Sequence, residues 1–185
     1  MRKFACLFAL LLLASWPAAA QETPKVEVSA HYSYARVNPN TSGVDSFNLN
    51  GGGGSLAYNA NNWFGIVGEF NGYKVGKIGG VDPDATVLTY LFGPRVSFRG
   101  NERFTPFVHA LFGGARASSG FAGGTSSDNA FSMAFGGGID AKLTDHIAIR
   151  VGQIDYLVTR FDEGAGRVNQ NNFRYSGGIV FRFGK

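Results

Sequence analysis

One stretch of sequence decides the fold: Phe173-Arg174-Tyr175-Ser176-Gly177-Gly178-Ile179-Val180-Phe181-Arg182-Phe183. Successive side chains of a β-strand point to opposite faces, so the odd-numbered positions place four aromatic rings and an isoleucine on one face. The even-numbered face carries two arginines and a serine. Apolar rings outside and charges inside are expected where lipid surrounds a polar interior. The segment therefore predicts one strand of a membrane-spanning β-barrel.

The first twenty residues have the features of a secretory signal peptide. Arg2 and Lys3 form a basic start, residues 4–13 are apolar, and Ala18-Ala19-Ala20 offers small residues for cleavage. The apolar run is shorter than the roughly 20 residues that a membrane-spanning helix needs. We therefore predict a cleaved signal peptide over residues 1–20 and a single domain over residues 21–185.

Composition narrows the class of protein further. Removing Arg2 and Lys3 leaves 15 of the 17 basic residues against 13 acidic ones, a formal charge of +2, which is too small to indicate a nucleic-acid partner. The only cysteine, Cys6, lies in the predicted signal peptide, so residues 21–185 contain no disulfide. No later stretch has the length and apolarity of a membrane helix. A closed barrel is the remaining fold in which all backbone groups pair within a membrane.

Alternation of apolar and polar residues predicts an all-β fold, an eight-stranded antiparallel up-and-down transmembrane β-barrel exported to the bacterial outer membrane. The predicted strands cover Val26–Val37, Ser46–Tyr58, Trp63–Asn71, Ala85–Phe98, Phe104–Ala117, Ala130–Leu143, Ile147–Phe161 and Phe173–Phe183.

The predicted connections alternate between long and short. The long ones are 38–45, 72–84, 118–129 and 162–172, and the short ones are 59–62, 99–103 and 144–146. Outer-membrane barrels have short periplasmic turns and longer extracellular loops. We therefore expect four exposed extracellular loops and both termini on the periplasmic side.

The alternation is irregular in three of the strands. In the second strand it changes phase near Gly51 to Gly54, which predicts a β-bulge there. In the fifth strand we expect Val108 to face lipid and His109 to face the interior, because a histidine in lipid is costly. In the seventh strand, either a bulge lies near Gly152 or the polar residues after it lie beyond the lipid.

Aromatic residues concentrate near both ends of the predicted strands, as expected for belts at two membrane interfaces. The predicted belt residues toward the long loops are Tyr32, Tyr34, Tyr73, Tyr156, Phe161, Phe173 and Tyr175. Those toward the short turns are Tyr58, Trp63, Phe64, Phe98, Phe104, Phe181 and Phe183.

Charged residues on the inward face need partners, because eight strands enclose a space that side chains nearly fill. If Leu143 opposes Ile147 across the short turn, then Asp140 opposes Arg150, which predicts a cross-strand ion pair. A second pair follows from barrel closure, which brings Glu27 of the first strand to Arg182 of the last. Further polar residues are predicted inside the barrel: Glu69, Arg95, His109 and Arg174.

The signal peptide, the eight amphipathic strands, the alternating loops and the aromatic final strand together resemble the OmpA-like outer-membrane barrel family, over about residues 26–183. The final segment is also similar to the sorting signal read by the bacterial barrel-assembly machinery, although Gly184-Lys185 follows the last aromatic residue. The resemblance implies a protein embedded in outer-membrane lipids, assembled by that machinery, with exposed loops in structural, adhesive or interaction roles.

Several functions remain open on the sequence. The favoured hypothesis is a non-enzymatic barrel with a filled polar interior, whose loops contact an extracellular ligand of unknown kind. A narrow ion-conducting channel is the first alternative. A lipid-modifying enzyme is a weaker one, because His31-Tyr32-Ser33 is similar to the His-x-Ser of a lipid A deacylase. A soluble lipocalin-type barrel would reverse the two faces. No cofactor and no metal site is predicted.

Overall fold

The computed structural model describes residues 23–38, 47–75, 85–121, 124–163 and 166–184, which form a closed barrel of eight strands. The predicted signal peptide lies outside the described residues. The strands are β1 (Val26–Asn38), β2 (Phe47–Asn59), β3 (Phe64–Val75), β4 (Ala85–Ser97), β5 (Phe104–Phe121), β6 (Gly124–Lys142), β7 (Ile147–Glu163) and β8 (Gly166–Phe183).

Each strand pairs antiparallel with its neighbours in sequence, and β1 also pairs with β8, which closes the barrel. Closure places Glu27 opposite Arg182 and Tyr34 opposite Tyr175. The predicted fold class is thereby confirmed. Among the described residues, no helix has the length and apolarity required to cross a membrane.

The two faces of the barrel wall differ as the alternation predicted. In β4, Tyr90 and Phe92 are exposed on the outer wall, whereas Leu91 between them is 0 % exposed and faces the interior. In β5, Val108 is outside and His109 is buried inside, as predicted. The apolar residues that a soluble protein would bury are thus on the outer surface, which excludes the lipocalin-type arrangement.

Three short turns join the strands at the end of the barrel that holds the start of β1. In each turn, one side-chain oxygen accepts hydrogen bonds from two backbone N–H groups further along the chain. Asn61 Oδ1 accepts from Trp63 and Phe64, and Asn101 Oδ1 from Arg103 and Phe104. Thr144 Oγ1 accepts from His146 and from Ile147, the first residue of β7. These local hydrogen bonds favour a tight turn between one strand and the next.

The register supports one predicted β-bulge and contradicts the other. The pairing of β7 shifts with both neighbours around Val151 and Gly152, as the first alternative for this strand required. The bulge predicted near Gly51 to Gly54 is wrong, because β2 pairs with β1 and β3 without a shift. The apparent phase change arises because Leu49 is buried inside the barrel among apolar neighbours.

The opposite end of the barrel differs most from the sequence prediction in two connections, and β3 also continues through residues 72–75. The pairing of β5 with β6 continues to Phe121 and Gly124, and that of β7 with β8 to Glu163 and Gly166. Residues 118–121, 124–129, 162–163 and 166–172, predicted as parts of loops, are therefore strand. The longer connections 39–46 and 76–84 lie outside the described residues.

Most predicted belt aromatics lie on the outer wall. The exposed ones are Tyr32, Tyr58, Trp63, Phe98, Phe104, Tyr156, Phe173, Tyr175, Phe181 and Phe183, whereas Tyr34 and Phe64 are half-buried. The outward placement of Tyr73 is wrong, because its ring is buried inside the barrel beside Ala35 and Leu49. β3 extends beyond its predicted end, and the inward parity of Glu69 continues to Tyr73. The side chain of Phe161 lies outside the described residues.

Candidate functional site in the barrel interior

Charged side chains concentrate inside the barrel, where one face of every strand is enclosed. Among the side chains that the structure describes, four carboxylates and five arginines are buried there or reach in from a turn, and they form three groups that share hydrogen bonds. The carboxylates are Glu27, Glu69, Asp140 and Asp155, and the guanidinium groups are those of Arg95, Arg99, Arg150, Arg174 and Arg182. Burial of a charge is costly without a partner, so the pairing within each group determines what the interior can do.

The first group, here called the Glu27 cluster, lies near the short turns and joins Glu27 to three arginines. Arg95 Nη2 donates to Glu27 Oε2, and Arg99 Nη2 donates to Oε1 over 3.2 Å. Arg182 Nε lies 3.5 Å from Oε1. Asn59 Oδ1 accepts a further bond of 3.2 Å from Arg95 Nη2. The structure therefore brings Glu27 and Arg182 together, but the closest contacts of Glu27 are with Arg95 and Arg99.

Arg99 belongs to the turn that follows β4, and only its side chain reaches into the Glu27 cluster. Burial lowers the pKa of the Arg99 guanidinium, and the charges of Arg95 and Arg182 act in the same direction. The nearby carboxylate of Glu27 opposes this shift. The Arg99 guanidinium is therefore paired with the Glu27 carboxylate, which also contacts Arg95 and Arg182.

The second group is the ion pair of Asp140 with Arg150. Arg150 Nε donates to Asp140 Oδ1 over 2.9 Å, and Nη2 donates to Oδ2 over 3.2 Å, a two-point contact of the kind guanidinium and carboxylate groups favour. The Phe107 ring contacts two guanidinium groups, with its centroid 4.7 Å from Arg150 Cζ and 5.5 Å from Arg95 Cζ, as in cation–π pairs. Phe107 thus contacts both this pair and the Glu27 cluster.

The third group, here called the Arg174 network, lies deeper along the barrel. Arg174 is 1 % exposed and contacts two carboxylates, with Nη2 2.6 Å from Asp155 Oδ2 and 2.5 Å from Glu69 Oε1. His109 Nε2 lies 2.6 Å from Asp155 Oδ1. Gln153 Nε2 donates to both Glu69 and Asp155. Gln153 Oε1 accepts a bond from Arg150, which connects this network to the second group.

Glycine makes room for this network at one position. A Cβ atom added at Gly136 would lie 2.2 Å from Asp155 Oδ1, too close for any side chain. Gly136 of β6 pairs with Asp155 of β7. Because Gly136 has no side chain, the Asp155 carboxylate can lie against the β6 backbone. Gly136 therefore allows a charged group to pack inside a narrow barrel.

The His31 and Ser33 side chains do not form a nucleophile and base pair. His31 Nε2 lies 2.7 Å from Asn71 Oδ1, and Ser33 Oγ lies 2.6 Å from Ser176 Oγ. Both residues are buried inside the barrel, away from the outer wall where a lipid substrate would bind. The geometry provides no activated serine at this motif.

Apolar side chains fill the interior beside the charges. One buried cluster runs around the wall from β2 to β7 and contains Ala57, Val67, Leu91, Leu111, Ala134 and Leu157. A second cluster contains Ala35, Leu49 and Tyr73, with Val75 and Val87 packed against it. Together with the ion pairs, these clusters project into the narrow interior that eight strands enclose.

The sequence prediction omitted several residues that complete these groups. Gln153 and Asp155 were missed because the bulge in β7 hides their inward direction from a simple alternation. Arg99 was missed because it lies in a turn, outside any strand pattern. The shift of phase after Gly152 was the one available signal for the first two. No group of three or more His, Cys, Asp or Glu side chains in the described part of the chain is arranged to hold a metal ion.

Comparisons with known proteins agree with this architecture. The family model for the outer membrane protein beta-barrel domain matches residues 6–183. A search against curated protein sequences gives no significant match. Among solved structures, Neisserial surface protein A has a TM-score of 0.70 at 16 % identity, covering 88 % of this chain and 100 % of that one.

Two further solved structures share the fold. Ail, the attachment invasion locus protein of Yersinia pestis, has a TM-score of 0.58 at 22 % identity, covering 86 % of this chain and 99 % of its own. OprG from Pseudomonas aeruginosa has a TM-score of 0.50 at 13 % identity, covering 88 % and 98 %. The predicted resemblance is confirmed, and the chain belongs to the family of the outer membrane protein beta-barrel domain.

Proposed function

We propose that this protein is a closed, non-enzymatic barrel of the outer membrane, which serves an adhesive or other interaction role through the loops opposite its short turns. The filled interior is the observation that carries this proposal. Arg174, Gln153 and Arg150 link the carboxylates across the lumen, and the apolar clusters fill the space beside them. The proposal therefore assigns the function to the ends of the barrel, because buried ion pairs and apolar side chains project into the lumen.

The proposed lipid contacts rest on the outer wall. Its exposed apolar side chains match the hydrocarbon region of a bilayer, and aromatic rings such as Trp63 and Tyr175 match the interfaces. At the loop end, Lys74 and Arg116 are exposed beyond the rings, where they would meet anionic headgroups. We propose that residues 1–20 direct export and are cleaved, and that the barrel-assembly machinery recognises β8.

The loop end is the proposed contact surface for an extracellular ligand. Connections 39–46 and 76–84 are rich in Gly, Asp and Ser, a composition suited to exposed loops. Ail, which shares the fold, has been crystallised in complex with the heparin analogue sucrose octasulfate. A sulfated polysaccharide is therefore a suitable first ligand to test on this chain.

Shortening the loops tests the interaction role. We expect bacteria that display the protein to adhere to heparin-coated plates and epithelial monolayers. Replacement of residues 39–46 and 76–84 by short glycine-containing turns should abolish adhesion, while the folded protein still migrates faster than the boiled protein on gels. Adhesion that survives in a correctly inserted, loop-shortened variant would refute the interaction role.

Single-channel recording tests the closed lumen against the channel alternative. We expect no stable conductance steps from the purified protein in planar bilayers, because buried ion pairs and apolar side chains occupy the lumen. Steady open steps whose size changes in the Arg150→Ala variant would establish a conduction path through the interior. Lys74→Ala is the control, since Lys74 is exposed on the outer face of β3 that carries Phe70 and should not affect a luminal path.

A further inference from the structure

The Glu27 cluster carries more positive charge than its own carboxylate can balance. Three guanidinium groups lie within 3.5 Å of the two oxygens of Glu27. The side chains of Arg95, Arg99 and Arg182 are only 3 %, 7 % and 7 % exposed, and that of Glu27 is 3 % exposed. The sum of three positive charges and one negative charge is a net charge of +2 in an enclosed space, which favours a bound anion.

Several donors of these arginines have no protein partner. In the described part of the chain, Arg95 Nε, Arg99 Nε and both Nε and Nη2 of Arg182 are buried without a hydrogen-bond acceptor. An unpaired buried donor on a charged group is costly, and native interiors pair such groups with protein atoms or with a bound species. The donors belong to three strands or turns that surround one carboxylate.

The two other charged groups do not share this excess of positive charge, although Arg174 Nη1 is also buried without an acceptor in the described part of the chain. Asp140 and Arg150 balance each other, and Arg174 lies between Asp155 and Glu69. Among the described side chains, these two groups contain two guanidinium groups, of Arg150 and Arg174, against the three carboxylates of Glu69, Asp140 and Asp155. The unbalanced cations are therefore confined to the end of the barrel at the short turns, where Arg99 enters from the turn after β4.

We propose that the Glu27 cluster is a binding site for a small divalent oxyanion, of the class of hydrogen phosphate or sulfate, that enters from the short-turn end of the barrel. A charge of −2 balances the cluster. Guanidinium groups bind such oxygens through paired N–H donors. This site is distinct from the loops and does not depend on their proposed interaction role.

Anion titration of the protein purified from outer membranes in detergent tests this site. We expect isothermal titration to detect inorganic phosphate and sulfate, but not chloride at the same ionic strength. We also expect phosphate to raise the temperature at which the folded gel band converts to the unfolded band. Arg99→Gln should weaken phosphate binding about tenfold or more, because it removes one charged donor.

Arg103→Gln is the matched control, because Arg103 lies exposed in the same turn and outside the cluster. Its phosphate affinity should equal that of the parent protein. An equal loss of affinity in both variants would reduce the effect to general attraction of anions and overturn the proposal. The proposal would also be overturned if the parent protein bound phosphate no better than chloride. This second test does not depend on the folding of any variant.

Discussion

Replacing Arg174 with methionine is expected to lower the free energy of unfolding of the barrel by about 3–5 kcal/mol, the usual cost of removing one partner of a buried ion pair. Arg174 is 1 % exposed and contacts both Asp155 and Glu69. Methionine has a similar length but no charge, so two carboxylates remain buried without their main cation. The loss should appear as a lower urea concentration at the unfolding midpoint of the protein in lipid vesicles.

Two further variants separate lost charge pairing from lost packing. Arg116→Met removes an arginine that is exposed near the loop end and bonded to Ser127, and it should change the midpoint little. Adding Glu69→Gln and Asp155→Asn to the Arg174→Met protein should recover part of the stability, because the orphaned charges are then absent. An Arg174→Met protein as stable as the parent would contradict the structure of the Arg174 network.

The Phe92→Arg variant is expected to destabilise the inserted barrel by about 2–4 kcal/mol, the cost of an arginine on the lipid face at the membrane midplane. Phe92 lies in the middle part of β4, is 49 % exposed, and packs edge to face against Phe70. The substitution should lower the yield of folded protein in vesicles and shift the urea midpoint to lower concentration.

Depth provides the control for this variant. Phe98 is 44 % exposed but lies just beyond the end of β4 at the short turns, where Phe98→Arg should cost only about 0–1 kcal/mol. A soluble protein would show no such dependence on depth. Equal costs at the two positions would show that Phe92 does not face the hydrocarbon core.

The sequence predicts the interior best where a short turn fixes the strand register. The pairing of Asp140 with Arg150 follows from the turn at Leu143, and the structure places these two residues opposite each other. The contact of Glu27 with Arg182 follows from closure, which depends on all eight strands. The stronger contacts of Glu27 with Arg95 and Arg99 cross the lumen, and no pairing rule along neighbouring strands predicts them.

Irregular strands and strand ends were the least predictable features. The bulge at Val151 and Gly152 was open on the sequence, because polar residues after it fitted either a bulge or a strand beyond the lipid. In β2, the change of phase that suggested a bulge comes from Leu49, an apolar side chain on the inward face. Glycine, serine and asparagine in residues 118–129 indicate a loop by composition. Pairing between β5 and β6 nevertheless continues there, because each strand supplies the partner of the other.

The wall of the barrel turns its aromatic and aliphatic rows outward, toward lipid, and its charges toward the lumen. Spin labels at single cysteines along residues 86–92 test this orientation most directly, because residues 21–185 contain no native cysteine. In lipid vesicles, we expect label collisions with oxygen to alternate, high at Thr86, Leu88, Tyr90 and Phe92 and low at Val87, Thr89 and Leu91. The opposite phase, or an even response along the segment, would contradict the orientation on which the whole structure depends.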